Sequence, residues 1–231
     1  DIIKLCLNRW KVMNPTWNII ELDDTNIHKW VDISEKVPNV DKLSYQAKTD
    51  ILRIMLIAKY GGVWADASTY CLKPLDTWLY KVNTSGFFAY RQNVNGRILS
   101  NWFLYGNPNN YIVKTCEKEV SNYWYHSEFG KKYFWFHELF KELCQKNRQF
   151  KRVWELTPDK QATGPHSYAD NNLMTDYDTE MFKLSKKMRE DIILSRNTIL
   201  DLSKIKHKYN RNVGLYKVMD NAYVTREKFE Y

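Results

Sequence analysis

From Asp50 to Ala58 only Asp50 and Arg53 are polar, and apolar side chains cover the rest of the helical circumference. A helix apolar on nearly every side has no solvent face, so the sequence predicts a helix in the interior. Two charges are then held where charge is costly, three residues apart on one flank, and a buried charge persists only when paired, hydrogen-bonded or engaged by a ligand. Gly61-Gly62 predicts the end of this helix, because the residue after a last turn commonly adopts a left-handed conformation open to glycine. Val63-Trp64-Ala65 then reads as a short buried strand that delivers Asp66 and Ser68 into a crevice, both pointing one way if strand geometry persists. Ligands of open α/β sheets gather at that end of the strands.

The rest of the chain fits around this centre. A helix is expected over Ile2 to Met13, a strand over Trp17 to Leu22 after Asn14-Pro15, and a short helix over Asn26 to Val31. This βα alternation predicts an α/β fold with a mixed, mainly parallel sheet flanked by helices. Further strands are expected at Gly86 to Tyr90 and Asn101 to Tyr105, and helices at Tyr111 to Tyr125 and Phe134 to Lys146. The 231 residues suit one domain spanning 1–231, large enough to bury a core without staples. Lys and Arg total 35 against 27 Asp and Glu, a formal +8 that favours anionic partners such as nucleotide sugars, acidic glycans or lipid headgroups. The basic residues are scattered, with no helix-turn-helix, zinc or RNA-binding pattern, so nucleic acid is not an expected partner. Cys6, Cys71, Cys116 and Cys144 lack the close spacing of a zinc or redox site and read as free thiols of a reducing compartment. No apolar run is long enough to cross a bilayer, so the expectation is a cytoplasmic protein with at most peripheral membrane contact.

Lys48-Thr49-Asp50-x-x-Arg53, followed by Tyr60-Gly61-Gly62-Val63-Trp64-Ala65-Asp66-Ala67-Ser68, resembles the signature of the capsular polysaccharide synthesis proteins and the DXD-containing sugar transferases related to them. Leu5 to Trp10, Trp17 to Asp23, Pro74-Leu75-Asp76-x-Trp78-Leu79, Ser100 to Phe103 and Tyr133 to His137 resemble further landmarks in the same order, so the likeness covers roughly the first two thirds of the chain. It implies a GT-A-like, Rossmann-like fold and transfer of a sugar from a nucleotide-diphosphate donor to a hydroxyl of a glycan or lipid-linked glycan. Such proteins place a strand and loop of the nucleoside pocket before the point where this chain opens in a helix, so that first strand is expected to be missing.

Residue by residue, the resemblance makes Asp50, Arg53 and Asp66 the catalytic and donor-binding core. A carboxylate accepts from sugar hydroxyls, and a guanidinium forks onto anionic oxygens; the alternative for Asp50 and Arg53 is a structural ion pair that orients the helix. Asp66 falls on the first carboxylate of the DXD element, which holds Mn²⁺ or Mg²⁺ and the donor. Ser68 falls on the second, where a hydroxyl is a much poorer ligand for a hard cation. His166 and His207 are the residues that could make up the metal set, and Lys208 could neutralise the leaving diphosphate. On the acceptor side, Trp102 could offer its ring to a sugar face and His137 could orient or deprotonate a hydroxyl, although packing is the commoner fate of both residue types. The loss of a metal carboxylate keeps a second reading open, a non-catalytic glycan- or nucleotide-binding module on the same fold.

Overall fold

Helix α1 (Ile2–Met13) leads into strand β1 (Trp17–Glu21), as the sequence predicts. The computed structural model describes residues 2–93, 95–125, 132–162, 180–183 and 222–226. The expected helix over Asn26 to Val31 is instead one 3-10 turn at Ile27–Lys29. Local side-chain bonds explain the difference: Asp23 Oδ1 accepts the Thr25 N–H, and the Asn26 amide donates to the Glu21 carbonyl. Such bonds offer the backbone an alternative to helix.

The central helix α2 (Tyr45–Tyr60) is where the apolar run places it, with every residue from Asp50 to Ala58 buried. Ser44 caps it by accepting the Ala47 N–H, and Gly61, at φ 68°, closes it through its own N–H to the Ile57 carbonyl. Strands β2 (Gly62–Ala65) and β3 (Thr69–Cys71), helix α3 (Leu79–Val82), and strands β4 (Phe87–Arg91) and β5 (Leu99–Gly106) follow. Beyond them lie helices α4 (Tyr111–Tyr125), α5 (Trp135–Lys146) and α6 (Arg148–Glu155), then strands β6 (Met181–Lys183) and β7 (Ala222–Arg226).

The main sheet has the order β1-β7-β2-β5-β4, and β3 pairs with β6 in a second, two-stranded sheet. Every pairing of these described strands is antiparallel, which corrects the expectation of a mainly parallel sheet. β1, β2 and β4 share a direction. Between them, however, run β7 and β5 in the opposite sense. β2 is a run of buried apolar residues because both faces of the sheet are covered, not because its neighbours are parallel.

The period of two along each strand sorts side chains into two cores. Trp64, Phe87, Ala89 and Leu104 join α2, α4, α5 and α6 on one face. Val63, Ala65, Phe88, Tyr90 and Phe103 pack on the other with Trp10, Trp17, Trp78 and Leu79. Gly106 marks how closely the first layer seats, since a Cβ there would lie 2.7 Å from Ile57 Cγ2 and 2.6 Å from Val113 Cγ2. Cys6, Cys71, Cys116 and Cys144 are buried free thiols. Among the described residues no helix is long and apolar enough to cross a membrane.

Candidate functional site

One guanidinium gathers the polar groups at the C-terminal end of β2. Arg53 Nη2 lies 3.2 Å from Asp50 Oδ1 and 3.5 Å from Asp66 Oδ1. Its Nε donates to the Thr49 carbonyl at 3.3 Å, and its Nη1 to the Asn101 carbonyl at 2.5 Å. Its Cζ sits 5.3 Å from the centre of the Trp64 ring, and the Trp64 indole N–H donates to Asp66 Oδ1 at 2.9 Å. Asn101 closes the arrangement: its amide donates to Asp50 Oδ1 at 2.8 Å. Helix α2 thus supplies Asp50 and Arg53, the end of β2 supplies Asp66, and the adjacent start of β5 supplies Asn101.

Burial divides the three charges. Asp50 and Arg53 are 6% and 4% exposed, whereas the Asp66 side chain keeps 24% of its surface. Asp66 is therefore the charge a ligand meets first. Burial pushes the Asp50 carboxyl up to about 6 from the ordinary 3.8; Arg53 works against the rise, and the neighbouring charge of Asp66 adds to it. The Trp135 indole also favours the ionised form, although its N–H stays outside hydrogen-bonding geometry. The site thus holds two carboxylates of unequal character, one poised near neutrality and one open to solvent.

His137 is buried, and burial followed by the nearby charges of Arg53 and Arg97 lowers its imidazole to about 4. It is neutral at physiological pH, and among the described residues its Nδ1 has no hydrogen-bond partner. Trp102, expected to offer a plane to an acceptor, is 5% exposed and stacks on Tyr90 at 5.3 Å. The strand does not persist through the DXD element: β2 ends at Ala65, and the Asp66 carbonyl accepts the Thr69 N–H in a turn that buries Ser68. The alternation that would aim Asp66 and Ser68 along one strand face does not extend over them. His166, His207 and Lys208 lie outside the described residues. Among the described residues no three His, Cys, Asp or Glu side chains gather as a metal ion would require, and a guanidinium already faces Asp66 Oδ1. These residues alone do not fit an Mn²⁺ or Mg²⁺ site.

At the start of α2 is a cleft of about 310 Å³ whose lining includes Asp24, His28, Asp32, Lys48 and Thr49 and none of Asp50, Arg53, Asp66 or Asn101. Thr49 links the cleft to the cluster, since its carbonyl holds Arg53. Asn101 is the residue that sequence reasoning did not assign. The Ser100 to Phe103 landmark contains it, but an asparagine there carries no signal of its own, and only strand pairing shows that β5 brings Asn101 to Asp50.

The family model described as capsular polysaccharide synthesis protein matches residues 1–212, nearly the whole chain and all of the cluster. The chain belongs to that family. Membership indicates a role in polysaccharide biosynthesis. No curated protein and no solved structure matches the chain.

Proposed function

We propose that this protein is a GT-A-like glycosyltransferase that moves a sugar from a nucleotide-diphosphate donor to a hydroxyl of a glycan or lipid-linked glycan. The observation that carries the reading is the Asp50–Arg53–Asp66 cluster at the C-terminal end of β2, with the Asp66 carboxylate partly exposed. Asp66 accepts from donor hydroxyls. Asp50 and Arg53 fix the sugar. In the transfer itself the anomeric carbon–oxygen bond to the diphosphate breaks and the leaving group keeps the electron pair. The acceptor oxygen bonds to the same carbon and releases its proton. Little covalent work falls to the protein, so positioning and charge neutralisation by Arg53 carry the catalysis. The family resemblance assigns donor contact to Ser68, metal contact to His166 and His207, the leaving diphosphate to Lys208 and an acceptor role to His137, whereas Trp102, stacked on Tyr90, supports the site by packing.

The second reading, a binding module without turnover, is favoured by the serine in place of a metal carboxylate and by its burial in the turn. Calorimetry with uridine and guanosine diphosphate sugars, with and without Mn²⁺, together with an assay of donor hydrolysis, separates the two. The transferase reading expects nucleotide-sugar binding and turnover, with Asp66→Asn lowering kcat/KM by about a hundredfold, on the order of 2.7 kcal/mol. Glycan binding without nucleotide affinity would establish the module instead.

A further inference from the structure

At the opposite end of β2 from Asp66 lies a second cleft, of about 560 Å³, within the roughly 300–1,000 Å³ typical of small-molecule sites. Gly61 and Gly62 form part of its wall, and a four-residue strand separates it from the cluster by about 13 Å along the chain. Three tyrosines, Tyr60, Tyr80 and Tyr105, line it together with Asp76, Asn83 and Asn107.

Two properties of this lining identify a ligand class. The first is exposed aromatic surface: Tyr80 is 67% and Tyr60 38% exposed. Among the described residues the other exposed large rings, Tyr45, Tyr125, Tyr133 and Phe134, lie outside this cleft. The second is a set of polar groups already held in place. The Asn83 amide donates to the Tyr105 hydroxyl at 2.9 Å, which donates to Asn107 Oδ1 at 2.8 Å. The exposed Asp76 carboxylate is oriented by the Thr16 hydroxyl at 2.8 Å and the Trp17 indole N–H at 3.2 Å. Rings that meet apolar C–H faces, beside fixed amides and a carboxylate that exchange hydrogen bonds with hydroxyls, are complementary to a sugar.

Charge selects among sugars. Among the described residues no lysine or arginine lines the cleft, although the chain carries a formal +8. Lys59 and Lys81 lie against the Tyr60 and Tyr80 rings, and Lys59 also donates to the Trp30 carbonyl. Among the described residues of the lining the charged side chain is Asp76, which repels phosphate and carboxylate groups. A nucleotide diphosphate or an acidic glycan is therefore disfavoured.

We infer that the cleft formed by Tyr60, Tyr80, Tyr105, Asp76 and Asn107 is a second, non-catalytic binding site for a neutral oligosaccharide. It would hold a stretch of glycan away from the reacting end, so that the chain stays attached while its terminus occupies the Asp66 end. Binding in the cleft rests on the site's own chemistry; only the tethering of a reacting chain rests on the transferase reading.

The test is titration of the ¹⁵N-labelled protein with neutral oligosaccharides, isomaltohexaose and chitohexaose, and with heparin oligosaccharide as the anionic comparison. Neutral sugars are expected to shift the amides of Gly61, Gly62, Tyr80 and Asn107. Tyr80→Ala, at an exposed ring, is expected to weaken that binding by between about twofold and tenfold, the worth of one aromatic contact. Tyr80→Phe should bind as the parent does, and unchanged amide dispersion in both variants reports an intact fold. Shifts confined to the Asp66 end, heparin binding in this cleft in preference to the neutral sugars, or no shift at saturating sugar would each overturn the inference. Because nucleotide-sugar binding is read in a separate titration with Asp66→Asn, failure of either site leaves the other standing.

Discussion

Asp50 and His137 titrate in the same pH range with opposite consequences for stability. Asp50 holds its proton more tightly in the folded state, up to about 6 against the ordinary 3.8. Between those values the native state carries more protons than the unfolded one, so its contribution falls as pH rises from about 4 to 6. His137 is depressed to about 4 from 6.5, so there the unfolded state binds the extra proton and the contribution rises with pH. The two trends oppose each other, and single substitutions separate them. Urea midpoints measured from pH 4 to 7 should, relative to the parent, climb with pH in Asp50→Asn and decline with pH in His137→Gln. Parallel profiles for the parent and both variants would show that neither group is perturbed. The residues of this site were unevenly legible in sequence. Asp50, Arg53 and Asp66 stood out because charge in an apolar run requires a reason, whereas Asn101 gave no such signal: an asparagine on a strand is ordinary until its partner is known.

At the scale of elements, α2 decides whether the site exists, because it carries two of the three charges and is buried from Asp50 to Ala58. Its start depends on one side chain. Ser44→Ala removes the oxygen that accepts the Ala47 N–H and is expected to cost about 1 kcal/mol, within the usual spread of ~0.5–2 for a lost cap, read as a drop in the urea midpoint at unchanged slope. An unaltered midpoint would mean that packing alone fixes the first turn. Helices α1, α2, α4 and α5 were legible from periodicity and caps, since both act over a few residues. The 3-10 turn at Ile27–Lys29 was not, because bonds from Asp23 and Asn26 redirect a segment whose composition tolerates helix. Helix α6 went unread for a related reason: Phe150 and Trp154 form an apolar stripe too short to stand out by periodicity.

For the whole molecule, the element that organises the sheet comes from the far end of the chain. β7 pairs with β1 on one side and β2 on the other, and it lies beyond the residues that the family model matches. Among the described strands, β7 is the partner that ties β1 to the sheet. A chain ending at Asn221 should therefore leave β1 and one side of β2 with open edges, and is expected to unfold at lower temperature and to self-associate by light scattering. A truncated chain that melts like the parent and stays monomeric would show that β7 is dispensable. Pairing of strands from opposite ends of the chain also predicts slow folding, because closing a long loop precedes the contacts that reward it.

The amino-acid sequence by itself determined the buried central helix, the glycine turn, the strand that ends beside Asp66, and membership of a polysaccharide-synthesis family. Each of these is written in hydrophobic period, in local backbone preference or in a contiguous motif, and such signals act between near neighbours. Tertiary structure alone decided the antiparallel interleaving of the sheet, the bond from Asn101 to Asp50, and the burial of Trp102. Those depend on which distant segments share an edge or a face, and a strand buried on both faces presents the same apolar run whichever way its neighbours point.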